Sequence, residues 1–356
     1  MVWRGKNVAR ILRIRGFSSA PFSPPARAAV YECHGSPDEV LKIVDVPGRA
    51  LDRREVCVKM LAAPINPSDI NRIEGVYPMR PTPPAIAGGE GVGQVELVGS
   101  DVENLRVGDW VIPTYSGVGT WSTHVLKEET SWCKVPDDVP IEYLATISVN
   151  PCTAFRMLED FSALEPGDVV VQNGATSMVG QCVIQIAHAK GLQTINIVRD
   201  RPGIEEAKEK LMNLGATEVV LDSQFDSPGF KDILANRGTP KLGLNCIGGA
   251  SAGAVLKLLA PSGTMVTYGG MSKKPVTVST TAFIFKDIRL RGFWLQKWIQ
   301  EHKREEMVAM ASSLIELVQA GRLKYVTEKI GFEDFERALR KALGKEGSVP
   351  KQVLVF

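Results

Sequence analysis

The stretch that most constrains this chain runs from residue 168 to residue 190. An apolar run at 168–172 passes through Asn173-Gly174-Ala175-Thr176-Ser177-Met178-Val179-Gly180 into an amphipathic stretch at 179–190. Further apolar runs follow at 194–198, 218–221, 241–246, 264–268 and 288–293, with helical patterns at 203–214 and 251–259. Gly191 and Gly215 stand where helix C-caps are expected. Continuous apolar strands joined by crossover helices mark a parallel sheet covered on both faces. This part of the chain is therefore predicted to be a doubly wound α/β domain.

Residues from about 26 to 144 follow a different rule. Short apolar runs at 55–60, 93–98 and 109–112 are separated by turn clusters such as Asn66-Pro67-Ser68 and Pro81-Thr82-Pro83-Pro84, which predicts a β-rich domain. An amphipathic helix is expected at 305–320 and a final strand at 352–356, returning to the first domain. The division expected is a leader at 1–25, the first part of the β-rich domain at 26–145, the α/β domain at 146–296, and the return at 297–356. A length of 356 residues suits two domains at about 150 residues each.

Charge and cysteine usage narrow the classes. Lys and Arg number 42 against 40 acidic residues, without the basic excess of a nucleic-acid binder. The uncharged stretch 169–189 holds Gln172, Asn173, Gln181, Gln185 and His188, so no membrane span is expected. The six cysteines are scattered with no C-x-x-C pair, which excludes a disulfide scaffold and a finger-type zinc site and fits a reducing compartment. Ahead of Glu32 there is no acidic residue, but there are Arg4, Lys6, Arg10, Arg13 and Arg15, with Val8, Ile11 and Leu12 on one helical face. That pattern reads as a mitochondrial presequence processed near Phe17, the other reading being a plain basic tail.

The turn after residue 172 suits a dinucleotide pyrophosphate. Gly174 supplies a tight turn, Gly180 close helix packing, and the helix N-terminus its N–H groups and dipole. The usual middle Gly is absent, since Thr176, Ser177 and Met178 fill that region, so the turn alone also reads as an ordinary strand-to-helix connection. The next strand ends at Val198 and is followed by Arg199-Asp200-Arg201. Two guanidiniums there suit the 2′-phosphate of NADP, where an NAD site would place an acid on the ribose hydroxyl. Asp200 keeps open the alternative of a solvated charged turn.

On Pro64-Ile65-Asn66-Pro67-Ser68-Asp69, Gly88-Gly89-Glu90-Gly91-Val92-Gly93, Val107-Gly108-Asp109-Trp110-Val111, the 174–180 turn and Tyr268-Gly269-Gly270, the chain resembles the medium-chain dehydrogenase/reductase superfamily. The resemblance covers nearly everything after Ala26. It implies a Rossmann cofactor domain beside a GroES-like catalytic domain. Where zinc enzymes of the superfamily carry a Cys and a His, this chain has Ser68 or its neighbours and Gly89, and no Cys lies between Cys57 and Cys133. A metal-free member is expected. Glu74-Gly75-Val76-Tyr77-Pro78, Ser148-Val149-Asn150-Pro151-Cys152-Thr153-Ala154, Leu244-Asn245-Cys246 and Leu290-Arg291-Gly292-Phe293-Trp294-Leu295 look like the zinc-free family of mitochondrial enoyl thioester reductases. Met178 departs from that family, which usually carries Gly in the turn.

The resemblance implies NADPH as cofactor, an enoyl thioester on acyl carrier protein or coenzyme A as substrate, and a homodimer. It also implies the roles of particular residues. Tyr77 would be catalytic, donating a hydrogen bond or proton without a Lewis-acid metal. Asn150 would touch the nicotinamide side; Thr176, Ser177, Met178 and Val179 the pyrophosphate; Arg199, Asp200 and Arg201 the adenosine phosphate. Tyr268, Gly269, Gly270 and Met271 would follow at the carboxyl edge of the sheet. Phe293, Trp294 and Leu295 would close over the nicotinamide, and Lys351 would reach back to the cofactor. Phe283, Ile284 and Phe285 suit an acyl pocket or a dimer interface, and Lys297, Lys303 and Arg304 an acidic carrier protein or plain solvation. His34, His124, His188 and His302 stand alone and read as structural. Two other functions stay open at this point: a quinone oxidoreductase, and a non-catalytic NADPH-binding coregulator.

Overall fold

The computed structural model describes residues 20–224, 228–347 and 349–356. The expected presequence falls mostly outside these residues. Phe22 bridges Ala50, Ser23 N–H donates to the Arg49 carbonyl, and the Pro21 carbonyl accepts from Leu51 N–H. This stretch is backbone-paired with residues 49–51 of the β-rich domain.

Strands β1 (Ala26–Tyr31), β2 (Leu41–Val46), β3 (Glu55–Pro64), β4 (Ala85–Ile86), β5 (Val92–Val98), β6 (Trp110–Pro113), β7 (His124–Glu128) and β8 (Trp132–Val135) build the first part, with short helices α1 (Pro37–Val40) and α2 (Pro67–Ile73). Helices α3 (Ile141–Thr146) and α4 (Asn150–Asp160) lead out of it. The second part alternates β9 (Val169–Asn173), α5 (Met178–Ala189), β10 (Gln193–Val198), α6 (Ile204–Asn213), β11 (Glu218–Leu221), α7 (Pro228–Arg237), β12 (Leu242–Asn245), α8 (Gly249–Leu258), β13 (Thr264–Thr267), α9 (Thr280–Lys286) and β14 (Arg289–Gly292). Then come α10 (Leu295–Glu301), α11 (Arg304–Gln319), β15 (Thr327–Gly331), α12 (Phe335–Ala342) and β16 (Lys351–Val355).

The second part forms one parallel sheet in the order β11-β10-β9-β12-β13-β14. This is the doubly wound dinucleotide-binding order, whose direction reverses between β9 and β12. The crevice outside the carboxyl ends of those two strands is where such sheets bind ligands. The expected strands agree with the observed ones to within about two residues. Helix α7 was not expected, because 222–240 carries Pro228, Gly229 and Gly238 and no apolar period.

β16 closes the catalytic-side sheet, pairing with β15 and antiparallel to β3, as the sequence suggested for the last residues. One core joins the two parts: Ala62, Val92 and Ile112 belong to the same buried cluster as Val170, Val183 and Leu242. α4 packs between α5 and α11 at this junction. The cleft is thus walled by elements that share a core.

Candidate functional site

At the switch point the strand ends are tied together by buried amides. Asn173 Nδ2 donates to Asn245 Oδ1 (2.8 Å) and to Ser251 Oγ (3.1 Å), and Asn173 Oδ1 accepts from the Cys246 N–H (2.9 Å). Gly174 has φ +64°, and a Cβ there would lie 2.5 Å from Cys246 Sγ; one on Gly180 would lie 2.6 Å from the Ala175 carbonyl oxygen. Both positions therefore require glycine. Ser177 caps α5, its Oγ accepting from the Gly180 N–H at 3.1 Å.

Beyond this turn lies a cavity of about 190 Å³ lined by Gly174, Thr176, Arg199, Arg201, Asp222 and Ser251, among others. It brings together the turn and both arginines. Asp200 points elsewhere: its Oδ2 accepts from Ser223 Oγ at 2.7 Å, and its N–H donates to Asp222 Oδ1 at 2.9 Å. Asp222 and Ser251 line the cavity without any local sequence pattern that marks them. Further along the crevice, Tyr268 Oη is buried and, among the described residues, finds no hydrogen-bond partner at ordinary geometry, with Ser177 and Cys246 as its polar neighbours. Burial pushes its hydroxyl well above the ordinary tyrosine pKa, so it stays protonated. The Met271 N–H donates to the Cys246 carbonyl (2.9 Å), which holds the 269–271 loop against the end of β12. A glycine cradle, a basic cavity and an orphaned hydroxyl in one crevice fit a phosphorylated dinucleotide.

The catalytic-side wall carries Tyr77, in the loop after α2. Trp294 Nε1–H donates to Tyr77 Oη at 2.5 Å, and the two rings meet edge to face with centroids 5.6 Å apart. The Arg72 guanidinium lies over the Tyr77 ring, 4.7 Å from its centroid. Phe293 packs edge-on against Phe161, and Leu295 is sunk into the shared core. Trp294 is the member of that triplet that hydrogen-bonds Tyr77.

Behind these residues lies a buried polar cluster for which the sequence reading gave only Asn150 and Lys351 a role. Glu90 is 0% exposed, Asp69 3% and Arg72 6%. Glu90 Oε1 accepts from the Val149 N–H (2.7 Å) and from Ser148 Oγ (3.3 Å), and Oε2 from Asn66 Nδ2 (2.8 Å). Asn66 Oδ1 accepts from Lys351 Nζ and from Asn150 Nδ2 (3.3 Å). Asp69 accepts from the Asn66 N–H (3.0 Å) and pairs with Arg72 (3.3 Å). Burial pushes the Glu90 carboxyl up to about 7, against the pull of Lys351 and its hydrogen bonds, and pushes Lys351 down to about 8. Lys351 thus spends its ammonium on this cluster. A lone carboxylate inside Gly88-Gly89-Glu90-Gly91 was the available signal, since a charge in a glycine-rich, apolar run has to be buried with partners.

Residues 52–137 match the alcohol dehydrogenase GroES-like domain family, and residues 179–316 the zinc-binding dehydrogenase family. The chain is 58% identical over 345 residues to the mitochondrial enoyl-acyl-carrier-protein reductase of Arabidopsis thaliana, covering 97% of this chain and 92% of that one. Among solved structures it is similar to the mitochondrial 2-enoyl thioester reductase Etr1p/Etr2p heterodimer from Candida tropicalis, at 36% identity and a TM-score of 0.86 over 93% of this chain and 100% of that one. The Etr1p/NADP/crotonyl-CoA complex gives the same identity, coverage and TM-score. An overall likeness of this extent, joined to the zinc-ligand positions filled by Ser68 and Gly89, identifies the chain as a member of the mitochondrial enoyl-acyl-carrier-protein reductase family, within the medium-chain dehydrogenase/reductase superfamily.

Proposed function

We propose that Tyr77, Trp294 and Asn150 carry the reaction of this chain, the NADPH-dependent reduction of trans-2-enoyl thioesters to saturated acyl thioesters in the mitochondrion. When bound, NADPH supplies the hydride that reaches C3 of the enoyl group. The residues of the chain must then hold the enolate that develops on the thioester oxygen and deliver a proton to C2. One observation carries this reading: Tyr77 Oη accepts from the Trp294 indole, so its own proton is left free to be donated. A donor already oriented toward developing charge needs no reorganisation at the moment of reaction.

Thr176, Ser177, Met178 and Val179 would hold the pyrophosphate at the α5 N-terminus, and Arg199 and Arg201 the 2′-phosphate. Tyr268, Gly269, Gly270 and Met271 line the next strand end. Asn150, whose Oδ1 takes no hydrogen bond from the described residues, would meet the nicotinamide side. Asp200, held by Ser223, serves the arginine loop rather than the ligand, and Lys351 and Leu295 act from behind the site. The test is NADPH consumption with trans-2-enoyl thioesters, with quinones in parallel. Turnover of the thioesters is expected; consumption with quinones alone would replace this reading by a quinone oxidoreductase.

Among the described residues no three His, Cys, Asp or Glu side chains are grouped as metal ligands, and Gly89 offers none where the zinc enzymes have theirs. The purified enzyme is expected to hold no stoichiometric zinc and to keep full activity in strong chelators. One zinc per chain by metal analysis, lost with activity on chelation, would contradict this.

A homodimer is proposed on the open edge of the parallel sheet. Among the described residues β14 has no partner beyond β13, and Leu290 on it is 38% exposed; Phe285 on neighbouring α9 is 77% exposed and Ile284 65%. An open strand edge flanked by large apolar side chains invites a second copy. Sedimentation should give twice the chain mass, and Leu290→Lys combined with Phe285→Asp should give the monomer; a monomeric parent protein would end the proposal. Acyl carrier protein is proposed as the thioester carrier in the cell. Lys297 and Lys303 are exposed toward solvent, Lys297 beside Glu301 at 3.6 Å, and would meet an acidic partner, whereas Arg304 is spent on the Trp132 carbonyl at 2.5 Å.

A further inference from the structure

We infer that Glu90 is a positioning residue for cofactor binding: through the Asn66 amide it fixes the orientation of Asn150 on the nicotinamide side of the cleft. The inference rests on the role proposed above for Asn150.

Glu90 and Lys351 leave Asn66 one orientation. A carboxylate only accepts and an ammonium only donates, so the amide between them must turn Nδ2 to Glu90 and Oδ1 to Lys351. With Oδ1 so placed, Asn66 can only accept from its next neighbour, and Asn150 presents Nδ2 to it. The other contact of Asn150 Nδ2 is Met178 Sδ at 3.3 Å, a weak acceptor. Both hydrogens of that amide are thereby directed into the protein. Among the described residues Asn150 Oδ1 takes no hydrogen bond, which leaves it as the acceptor for a carboxamide or hydroxyl donor.

The same carboxylate holds the backbone on which Asn150 stands. Glu90 Oε1 takes the Val149 N–H, directly before the first residue of α4. One side chain of the catalytic domain therefore sets both the backbone and the amide of a residue at the cofactor domain. The charges around it come from several elements: Asp69 and Arg72 on α2, Lys351 on β16, with Cys152 on α4 and Cys182 on α5 as the nearest thiols. Two acids and two bases make the charged cluster neutral as a whole, so its function is orientation rather than net charge.

Glu90→Gln tests the relay because glutamine has one accepting and one donating head. If it keeps the Val149 contact, its amide NH₂ faces the Asn66 NH₂. A half-turn of Asn66 relieves that clash but points Nδ2 at the Lys351 ammonium and at the Asn150 NH₂. Asn150 must then rotate, and its free acceptor is lost to the ligand. Asn66→Ala removes the relay while leaving Glu90 in place.

Calorimetric titration of the whole protein with NADPH and with adenosine 2′,5′-bisphosphate, which lacks the nicotinamide half, reads this directly. E90Q and N66A should each weaken NADPH about 3- to 10-fold, the size of one lost hydrogen bond, and leave the bisphosphate affinity unchanged. E90Q combined with N150A should bind NADPH no more weakly than N150A alone, because the two act in series. Wild-type NADPH affinity in either E90Q or N66A, equal weakening of both ligands, or losses that multiply in the double variant would overturn the inference. Should E90Q not fold, N66A carries the same comparison. An N150A protein that binds NADPH normally overturns the role of Asn150 and this inference with it. An N150A defect beside normal E90Q and N66A proteins overturns the relay alone.

Discussion

Tyr77→Phe is expected to lower kcat about 100- to 1000-fold, the usual cost of one oxyanion-type donor. The ring stays, so its edge-to-face contact with Trp294 and its place under Arg72 remain. What goes is the hydroxyl that accepts from the indole and, in the function proposed, donates to the substrate. An interaction that strengthens in the transition state appears in kcat and in kcat/KM together. NADPH affinity should barely change, since the proposed role of the hydroxyl is toward the substrate. Thermal stability should also hold, because Tyr77 and Trp294 are only partly buried and water can take the indole N–H. Steady-state kinetics beside a melting curve check both halves. Near-normal kcat in a well-folded variant would end the assignment, and lowered stability with a modest kinetic loss would make Tyr77 structural.

Replacing Arg199 or Arg201 by alanine should weaken NADPH by about 10- to 100-fold and NADH far less, since a hydrogen bond to a charged group contributes about 1.5–3 kcal/mol. Both arginines line the cavity beside the phosphate turn, and the one acid between them is already committed to Ser223. The lost contact is electrostatic, so the difference between the two cofactors should shrink as salt rises. Dissociation constants for both cofactors at two ionic strengths decide it. Equal weakening of NADPH and NADH would mean the arginines support the loop without reading the 2′-phosphate.

The parallel sheet was legible because strands buried on both faces are mostly apolar. β9, β10 and β12 are buried almost throughout, and their buried amide side chains, Gln172, Asn173, Asn196 and Asn245, are hydrogen-bonded to one another or to neighbouring strands. β14 shows the limit of that rule. Its run reads as a buried strand, yet all four residues are exposed, because it stands at the edge of the sheet. The phosphate turn and the arginine pair were visible since local backbone needs and local charge are written in adjacent residues. The pairing of Tyr77 with Trp294 was not, because it joins positions 217 apart and no local pattern encodes it. The same holds for the Glu90 cluster, assembled from α2, the strand-leading glycine run, α4 and β16. Asp200 was legible as a residue but not in its direction, which Ser223 decides from the next strand's end.

The most direct measurement is the fate of the transferred atoms. The enzyme would be run with NADPH deuterated at the reactive C4 position and trans-2-butenoyl thioester in ordinary water, and the saturated product analysed by mass spectrometry and NMR. Deuterium at C3 of the butanoyl thioester, with a solvent-derived hydrogen at C2 and the label transfer slowed in parallel with turnover by Tyr77→Phe, is the expected result. Deuterium at C2, or oxidation of the cofactor without any saturated thioester, would contradict it.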